Sequence, residues 1–304
     1  MGGMRSAPEE GVIVKGVGGL YTVRTPGGLQ ECRARGIFRK NNTPPLVGDR
    51  VVTADGVICD ILPRKNSLSR PLCANIDRLF IVISLADPEP NTRNIDLLAA
   101  CVQLRDIEPV LVFNKLDLGD VYGVRRAYGS VPFLQADICV RQPDPVDVQK
   151  LRRLIEGRTV ALGGASGVGK SSLVNLLRQS DVALTGDISR KLRRGRNTTR
   201  HAQLFELCGG RIIDTPGFSS FLPEYFRSED LQALSGCFPE FAPYEGKCRF
   251  ADCAHIREPG CAVRQAVDRG AIARGRYEGY VAAHEYISGL KPWKNDETKR
   301  KNGI

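Results

Sequence analysis

Gly164-Ala165-Ser166-Gly167-Val168-Gly169-Lys170-Ser171 decides the fold by its place in the chain: it follows Asn114-Lys115-Leu116-Asp117 instead of preceding it. The eight residues form the pattern G-x-x-x-x-G-K-S, a phosphate-cradling loop. The apolar run 158–163 feeds the loop as a strand, and a helix is expected from near Lys170. That strand–loop–helix context is what the motif requires. Its glycines let successive backbone N–H groups converge on phosphate oxygens, and the helix N-terminus adds a favourable dipole. Lys170 is then expected to reach the β- and γ-phosphates. Ser171, followed by Ser172, offers a hydroxyl to Mg2+.

Working outward, Asn114 ends the apolar run 109–114, so the tetrapeptide lies at the carboxyl edge of a parallel sheet, where ligands bind. A carboxylate at Asp117 accepts two hydrogen bonds from guanine, at N1–H and the N2 amino group. Adenine offers the wrong pattern and leaves polar groups unpaired. Lys115 would lie along the base, next to Leu116. In ordinary GTPases the phosphate loop comes first, so this domain reads as circularly permuted. A third segment, Ile212-Ile213-Asp214-Thr215-Pro216-Gly217, ends another apolar strand. Asp214 is expected to hold Mg2+ through water, and the Gly217 N–H to meet the γ-phosphate. Phe218 follows where other GTPases carry a glutamine that orients the attacking water. An apolar side chain cannot do that, so intrinsic hydrolysis should be slow and need a partner's help. Between loop and acid, Arg190 to Arg200 is a strongly basic switch candidate. Within it Thr198 or Thr199 would close on Mg2+, and its arginines suit an RNA backbone.

The rest of the chain divides around this centre. Residues 11–62 alternate short apolar runs, at 11–15, 20–24, 30–34, 49–53 and 57–61, with glycine-rich turns. Five such strands predict a small closed barrel: an OB-fold, with an SH3-like barrel fitting nearly as well on pattern alone. Arg33, Arg35, Arg39 and Lys40 cluster after the third run, as on an oligonucleotide-binding face; a solvated charged loop accounts for the same residues. Lys65 to Pro71 reads as a linker. Then strands at 79–85, 109–114, 131–134 and 158–163 alternate with helices at 94–104 and 146–155, the signature of a parallel sheet covered on both faces. Residues 229–247 read as short helical turns, 271–288 as helix, and the basic tail from Lys291 as frayed.

At 42% hydrophobic and 26% charged, the composition is that of an ordinary globular protein. The net charge of +10 points to an anionic partner, with nucleic acid first. No apolar run approaches the ~18–20 residues of a membrane span, and Met1 to Gly11 lacks a signal-peptide core. A cytoplasmic protein without a membrane partner is expected. In a reducing compartment the 10 cysteines do not form a disulfide framework. Cys59, Cys101 and Cys139 sit among apolar neighbours and read as core residues.

Cys248-x4-Cys253-x-His255-x5-Cys261 is different. Three thiolates and one imidazole suit a tetrahedral Zn2+, and four protein ligands leave no open position, so the site is structural and not catalytic. Cys237 is a spare candidate nearby.

These residues together resemble one family: the circularly permuted GTPases that assist late assembly of the small ribosomal subunit in bacteria. The resemblance runs through Arg35-Gly36, Val47-Gly48-Asp49 and Arg70-Pro71, the three nucleotide motifs, Gly195 to Thr199, Phe238-Pro239-Glu240, the cysteine cluster and Arg276-Tyr277. It implies a multidomain protein: an N-terminal all-β OB-fold barrel with linker over 1–70, a central α/β permuted phosphate-loop GTPase over 71–228, and a C-terminal, mostly helical zinc-binding domain with a basic tail over 229–304. It also implies GTP hydrolysis stimulated by the small (30S) subunit and its rRNA, with no DNA partner and a monomeric state. Two positions depart from the family pattern. Asn197 stands where the family usually has a histidine proposed to help hydrolysis, with His201 four residues on. Gln135-Ala136-Asp137 occupies the region of the Ser-Ala loop that backs the guanine, which makes Ala136 the residue expected there.

Overall fold

Five strands near the N-terminus close on themselves. β1 (Glu9–Val17), β2 (Leu20–Thr25) and β3 (Gly28–Ala34) run as a meander, a single turn of helix α1 (Ile37–Lys40) follows, and β4 (Arg50–Ala54) and β5 (Val57–Ile61) form a hairpin. β4 pairs back on β1, and β5 runs parallel to β3, which closes the ring as an OB-like barrel. The alternating pattern that predicted it is real: Ile13, Val23, Cys32, Val51 and Ile58 are fully buried at its centre. The computed structural model describes residues 7–41, 43–69, 72–119, 121–129, 131–185, 202–214 and 226–290.

The stretch read as a linker carries structure. Ser67–Ser69 (β6) and Leu72–Ala74 (β7) form a two-stranded hairpin, and the Ala74 N–H bonds the Val47 carbonyl at 2.9 Å. Val47-Gly48-Asp49 explains why. Gly48 has φ +92, and a Cβ there would lie 2.2 Å from the Ala74 carbonyl oxygen, so only glycine fits. Asp49, fully buried, accepts both Nε and Nη2 of Arg64 at 2.7 Å, and also the Leu46 N–H. A buried carboxylate is tolerable only when it is paired and hydrogen-bonded in this way.

Beyond the hairpin come β8 (Arg78–Ser84), helix α2 (Thr92–Gln103), β9 (Glu108–Asn114), α3 (Val121–Tyr128), β10 (Leu134–Ile138), α4 (Pro145–Ile155), β11 (Thr159–Gly163), α5 (Lys170–Thr185), β12 (Gln203–Leu207) and β13 (Gly210–Asp214). The sheet order is β10-β9-β8-β11-β13-β12, parallel except for β12, which pairs antiparallel with both β13 and β1 and so joins the sheet to the barrel. Strands β8, β9 and β11 are apolar almost without interruption, as strands covered on both faces must be. The edge strand β10 lies later than expected. Val131 is buried at the end of α3, its N–H on the Tyr128 carbonyl, and pairing with β9 begins only at Leu134.

The chain forms two compact units. One holds the barrel and the sheet. The other takes Asn91–Leu104 and Gly123–Pro132 from the middle of the chain and adds the C-terminal region. In this second unit α2 packs on α7 (Arg274–Ser288), together with 3-10 turns at Ser228–Cys237 and Pro239–Tyr244 and the short helix α6 (Ala262–Asp268). Phe238, Phe241 and Tyr280 make an aromatic cluster with centroids 5.0 to 5.6 Å apart. At its heart Arg276 is buried. Its guanidinium donates to Asp96 of α2 and to Glu240 at 2.7 Å, and lies over the Phe238 ring at 4.7 Å. The Tyr128 hydroxyl donates to the same Asp96 carboxylate at 2.7 Å. Burial pushes the Asp96 carboxyl up to about 6 against the pull of Arg276 and the Tyr128 hydrogen bond. α7 comes this close to α2 because residue 279 is glycine: a Cβ there would meet an Asp96 carboxylate oxygen at 2.4 Å.

Candidate functional site

Strands β8, β9, β11 and β13 are parallel, so their carboxyl ends share one edge, and the sequence motifs meet there. The loop from Gly164 to Gly169 carries φ values of +124, +83 and +101 at its three glycines, a conformation that other residues rarely adopt. A Cβ on Gly164 would lie 2.2 Å from the Val82 carbonyl oxygen. Val168 is buried and anchors the loop, while Ala165, Ser166, Ser171 and Ser172 remain exposed. The Lys170 ammonium curls over the loop, donating to the carbonyls of Gly164 and Ala165 at 2.7 Å each, and burial lowers its pKa. α5 begins at Lys170, so its N-terminal dipole faces the same cradle.

Asn114 is buried and braces the loop from the neighbouring strand. Its amide donates to the Val168 carbonyl at 2.8 Å and accepts the Val140 N–H at 3.3 Å. A Cβ on Gly169 would lie 2.3 Å from that amide nitrogen, so brace and glycine require each other. Lys115 has a left-handed backbone, φ +64, and its ammonium donates to the Asp87 carbonyl in the segment after β8. Leu116 is half-buried, and Asp117 keeps a quarter of its side chain exposed, with the Cys139 thiol donating to its Oδ1 at 3.2 Å. A carboxylate so placed can accept two parallel N–H bonds from a planar base. Asp214 ends β13 on the same edge, half-buried. Its charge pulls up the Arg178 pKa, which burial lowers more strongly, and Arg178 stacks on Phe205 at 3.8 Å.

Two expectations change. Ala136 is not beside the base: it is 1% exposed, inside β10, and packed in the sheet core. The residues that follow that strand at the edge are Cys139, Val140 and Arg141. Cys139 and Cys59 are half-exposed and not core; of the three cysteines read as core, Cys101 alone is buried. Thr198, Thr199, Gly217, Phe218, Asn197 and His201 lie outside the described residues.

The cysteine cluster assembles in the second unit. The ligand atoms of Cys248, Cys253, His255 and Cys261 all lie within 4.8 Å of one another, an arrangement able to hold a metal ion. His255 Nδ1 is 3.5 Å from Cys248 Sγ and 3.4 Å from Cys261 Sγ, and the two sulfurs are 3.9 Å apart. Burial lowers the His255 pKa, which favours the neutral, ligating imidazole. The loop is held by residues the spacing did not single out. Tyr277 and Tyr280 donate to the carbonyls of His255 and Ala254 at 2.8 and 2.7 Å. The Glu258 carboxylate accepts the N–H groups of Ala254, Ile256 and Arg257. Tyrosines three residues apart on one helix face are the signal that could have revealed them. Cys237 is buried elsewhere in the unit, its thiol on the Ala233 carbonyl.

A phosphate loop and a base-edge tetrapeptide on one sheet edge, in reversed chain order, define a circularly permuted GTPase. The comparisons narrow the class. Residues 61–223 match the RsgA GTPase family model, and residues 10–55 match the RsgA N-terminal domain. The small ribosomal subunit biogenesis GTPase RsgA of Ruminiclostridium cellulolyticum is 38% identical over 97% of this chain and 99% of its own. Its namesake from Geobacillus sp. is 39% identical over 93% and 99%. The crystal structure of YjeQ from Thermotoga maritima superposes with a TM-score of 0.74 at 30% identity, over 94% of this chain and all of that one. That of YloQ, described as a circularly permuted GTPase, does so at 0.73 and 30%, over 96% and 99%. The chain belongs to the RsgA GTPase family.

Proposed function

We propose that this protein is a GTP hydrolase that assists late maturation of the small ribosomal subunit, binding its rRNA and turning GTP over slowly until the subunit stimulates it. The observation that carries this reading is the shared edge: phosphate loop, Asn114 brace and Asp117 carboxylate lie together in a chain similar to small-subunit biogenesis GTPases over almost its whole length. In it, Gly164 to Ser172 cradle the phosphates, Lys170 meets the β- and γ-oxygens, and Lys115, Leu116 and Asp117 hold the base. Ser171, Asp214 and a switch threonine, Thr198 or Thr199, would hold Mg2+, which neutralises charge developing on the transferred phosphoryl group. The Gly217 N–H would meet the γ-phosphate. The working division is 1–70, 71–228 and 229–304, with the barrel and the basic switch facing RNA, in a monomeric cytoplasmic protein.

The metal of the C-terminal cluster is read as one structural Zn2+. Tetrahedral bonds of about 2.3 Å to sulfur and about 2.0 Å to nitrogen separate two sulfurs by roughly 3.8 Å and a sulfur–nitrogen pair by roughly 3.5 Å. The separations between Cys248, Cys261 and His255 match these values.

A second reading, a GTP-gated RNA-binding module in which turnover hardly matters, is favoured by Phe218 and Asn197 at positions that cannot activate water. GTP turnover alone, with small subunits and with large subunits at fixed salt separates the two. Stimulation by small subunits only supports the hydrolase; stimulation by neither, with GTP-dependent RNA binding intact, supports the module.

A further inference from the structure

Asp117 is faced by two residues that follow β10. The Cys139 thiol donates to Oδ1 at 3.2 Å, and the Arg141 guanidinium stands 3.9 Å from Oδ2. The two contacts are unequal. Cys139 is half-buried and in hydrogen-bond range, whereas the Arg141 side chain is 77% exposed and makes a loose, solvent-screened pair. The backbone between them is fixed, because the Val140 N–H is bonded to Asn114 and the Gln142 N–H to the Cys139 carbonyl at 3.1 Å. The thiol therefore meets the carboxylate from a rigid turn tied to the same asparagine that braces the phosphate loop.

A carboxylate that accepts two parallel N–H bonds must be held in the plane of its partner. Free rotation about the Asp117 Cβ–Cγ bond would let it satisfy one donor at a time. A donor fixed on one oxygen removes that freedom without occupying all of the oxygen's acceptor capacity. We propose that Cys139 is a specificity-determining positioning residue: its thiol sets the plane of the Asp117 carboxylate, so that both guanine donors, and not N1–H alone, are read. The inference rests on the assignment of Asp117 as the base-reading group.

The test compares GTP with ITP, whose base keeps N1–H and lacks the N2 amino group. Equilibrium affinity for fluorescent derivatives of both is measured on the full chain and on the variants Cys139→Ala and Cys139→Ser. If the thiol sets the plane, Cys139→Ala lowers the preference for GTP over ITP by about tenfold, mostly through weaker GTP binding. Cys139→Ser, which keeps a donor, restores it. A side chain that merely fills space would weaken both nucleotides equally and leave the ratio unmoved, and that result overturns the proposal. So does a ratio that falls equally in the alanine and serine variants. An unmodified chain with no preference for GTP over ITP would instead remove the assignment of Asp117, a failure distinct from that of Cys139. Circular dichroism on each variant identifies any that fail to fold, and Cys139→Val then replaces alanine as the donor-free variant.

Discussion

The two units reach precision by opposite routes. In the sheet, position comes from length and apolarity: β8, β9 and β11 are buried along nearly their whole course, and the site hangs from their ends. Each buried aliphatic side chain there contributes roughly 1.5–3 kcal/mol, so no single contact is decisive. The second unit packs two longer helices, α2 and α7, with 3-10 turns and the short α6. Its apolar cluster is cross-linked by a small number of polar groups: the buried Arg276 ion pairs and the four side chains able to hold a metal. A core of many weak contacts loses function piecemeal, whereas one of few strong contacts fails at single residues.

That contrast can be broken experimentally, the strongest effect first. Stripping the metal by chelation should unfold the C-terminal region, since structural zinc contributes about 10 kcal/mol or more to small domains, while nucleotide binding is partly retained. Limited proteolysis alongside nucleotide titration reads both. Retained helicity and protease resistance after metal removal would mean that the cluster is not a cornerstone. Arg276→Met should cost about 3–5 kcal/mol, because two buried carboxylates lose their cation; a melting curve within a degree of the unmodified protein would contradict it. Lys170→Ala should lower stimulated GTP turnover by roughly a hundredfold or more without moving the melting temperature much, and unchanged turnover would show the site misassigned. Asn114→Ala, which leaves the Val168 carbonyl and the Val140 N–H without their partner, should cost about 1–3 kcal/mol. Its mark should be weaker binding of GTP and GDP alike. Least of all, Arg24→Ala removes an exposed pair with Glu206, 3.1 Å apart between barrel and sheet, and should change stability by about 1 kcal/mol or less; a larger loss in urea unfolding would show that the barrel needs that contact.

The sequence made the phosphate loop, the barrel and the cysteine cluster legible because each rests on local constraints: glycines at forced φ, period-two alternation, ligand spacing. What escaped was set by partners far away in the chain. Val121–Tyr128 is amphipathic but only eight residues long and contains Gly123, and Tyr128 finds its role only against Asp96 and Arg276. Ser67–Ser69 looks like linker because its hairpin is stabilised by the side chains of Asn66 and Asn75, which bond backbone groups across the turn and as far as Gly48. Ala136 lies inside the sheet because the strand begins at Leu134 and runs to Ile138, leaving Val131 in the turn after α3. That placement puts Cys139 and Arg141 at the edge.

Helix α2 also has a history in time. It leaves the translating machinery with its neighbours of the sheet, yet Leu97 and Cys101 on its buried face pack against residues from Phe226 to Ile287. At ~5–20 residues per second, about ten to forty seconds separate its synthesis from the arrival of α7. During that interval an apolar surface and the Asp96 carboxylate stand without their cover. A nascent chain of this design needs either a holding partner or patience, and a chain shortened before α7 would carry that exposed face permanently.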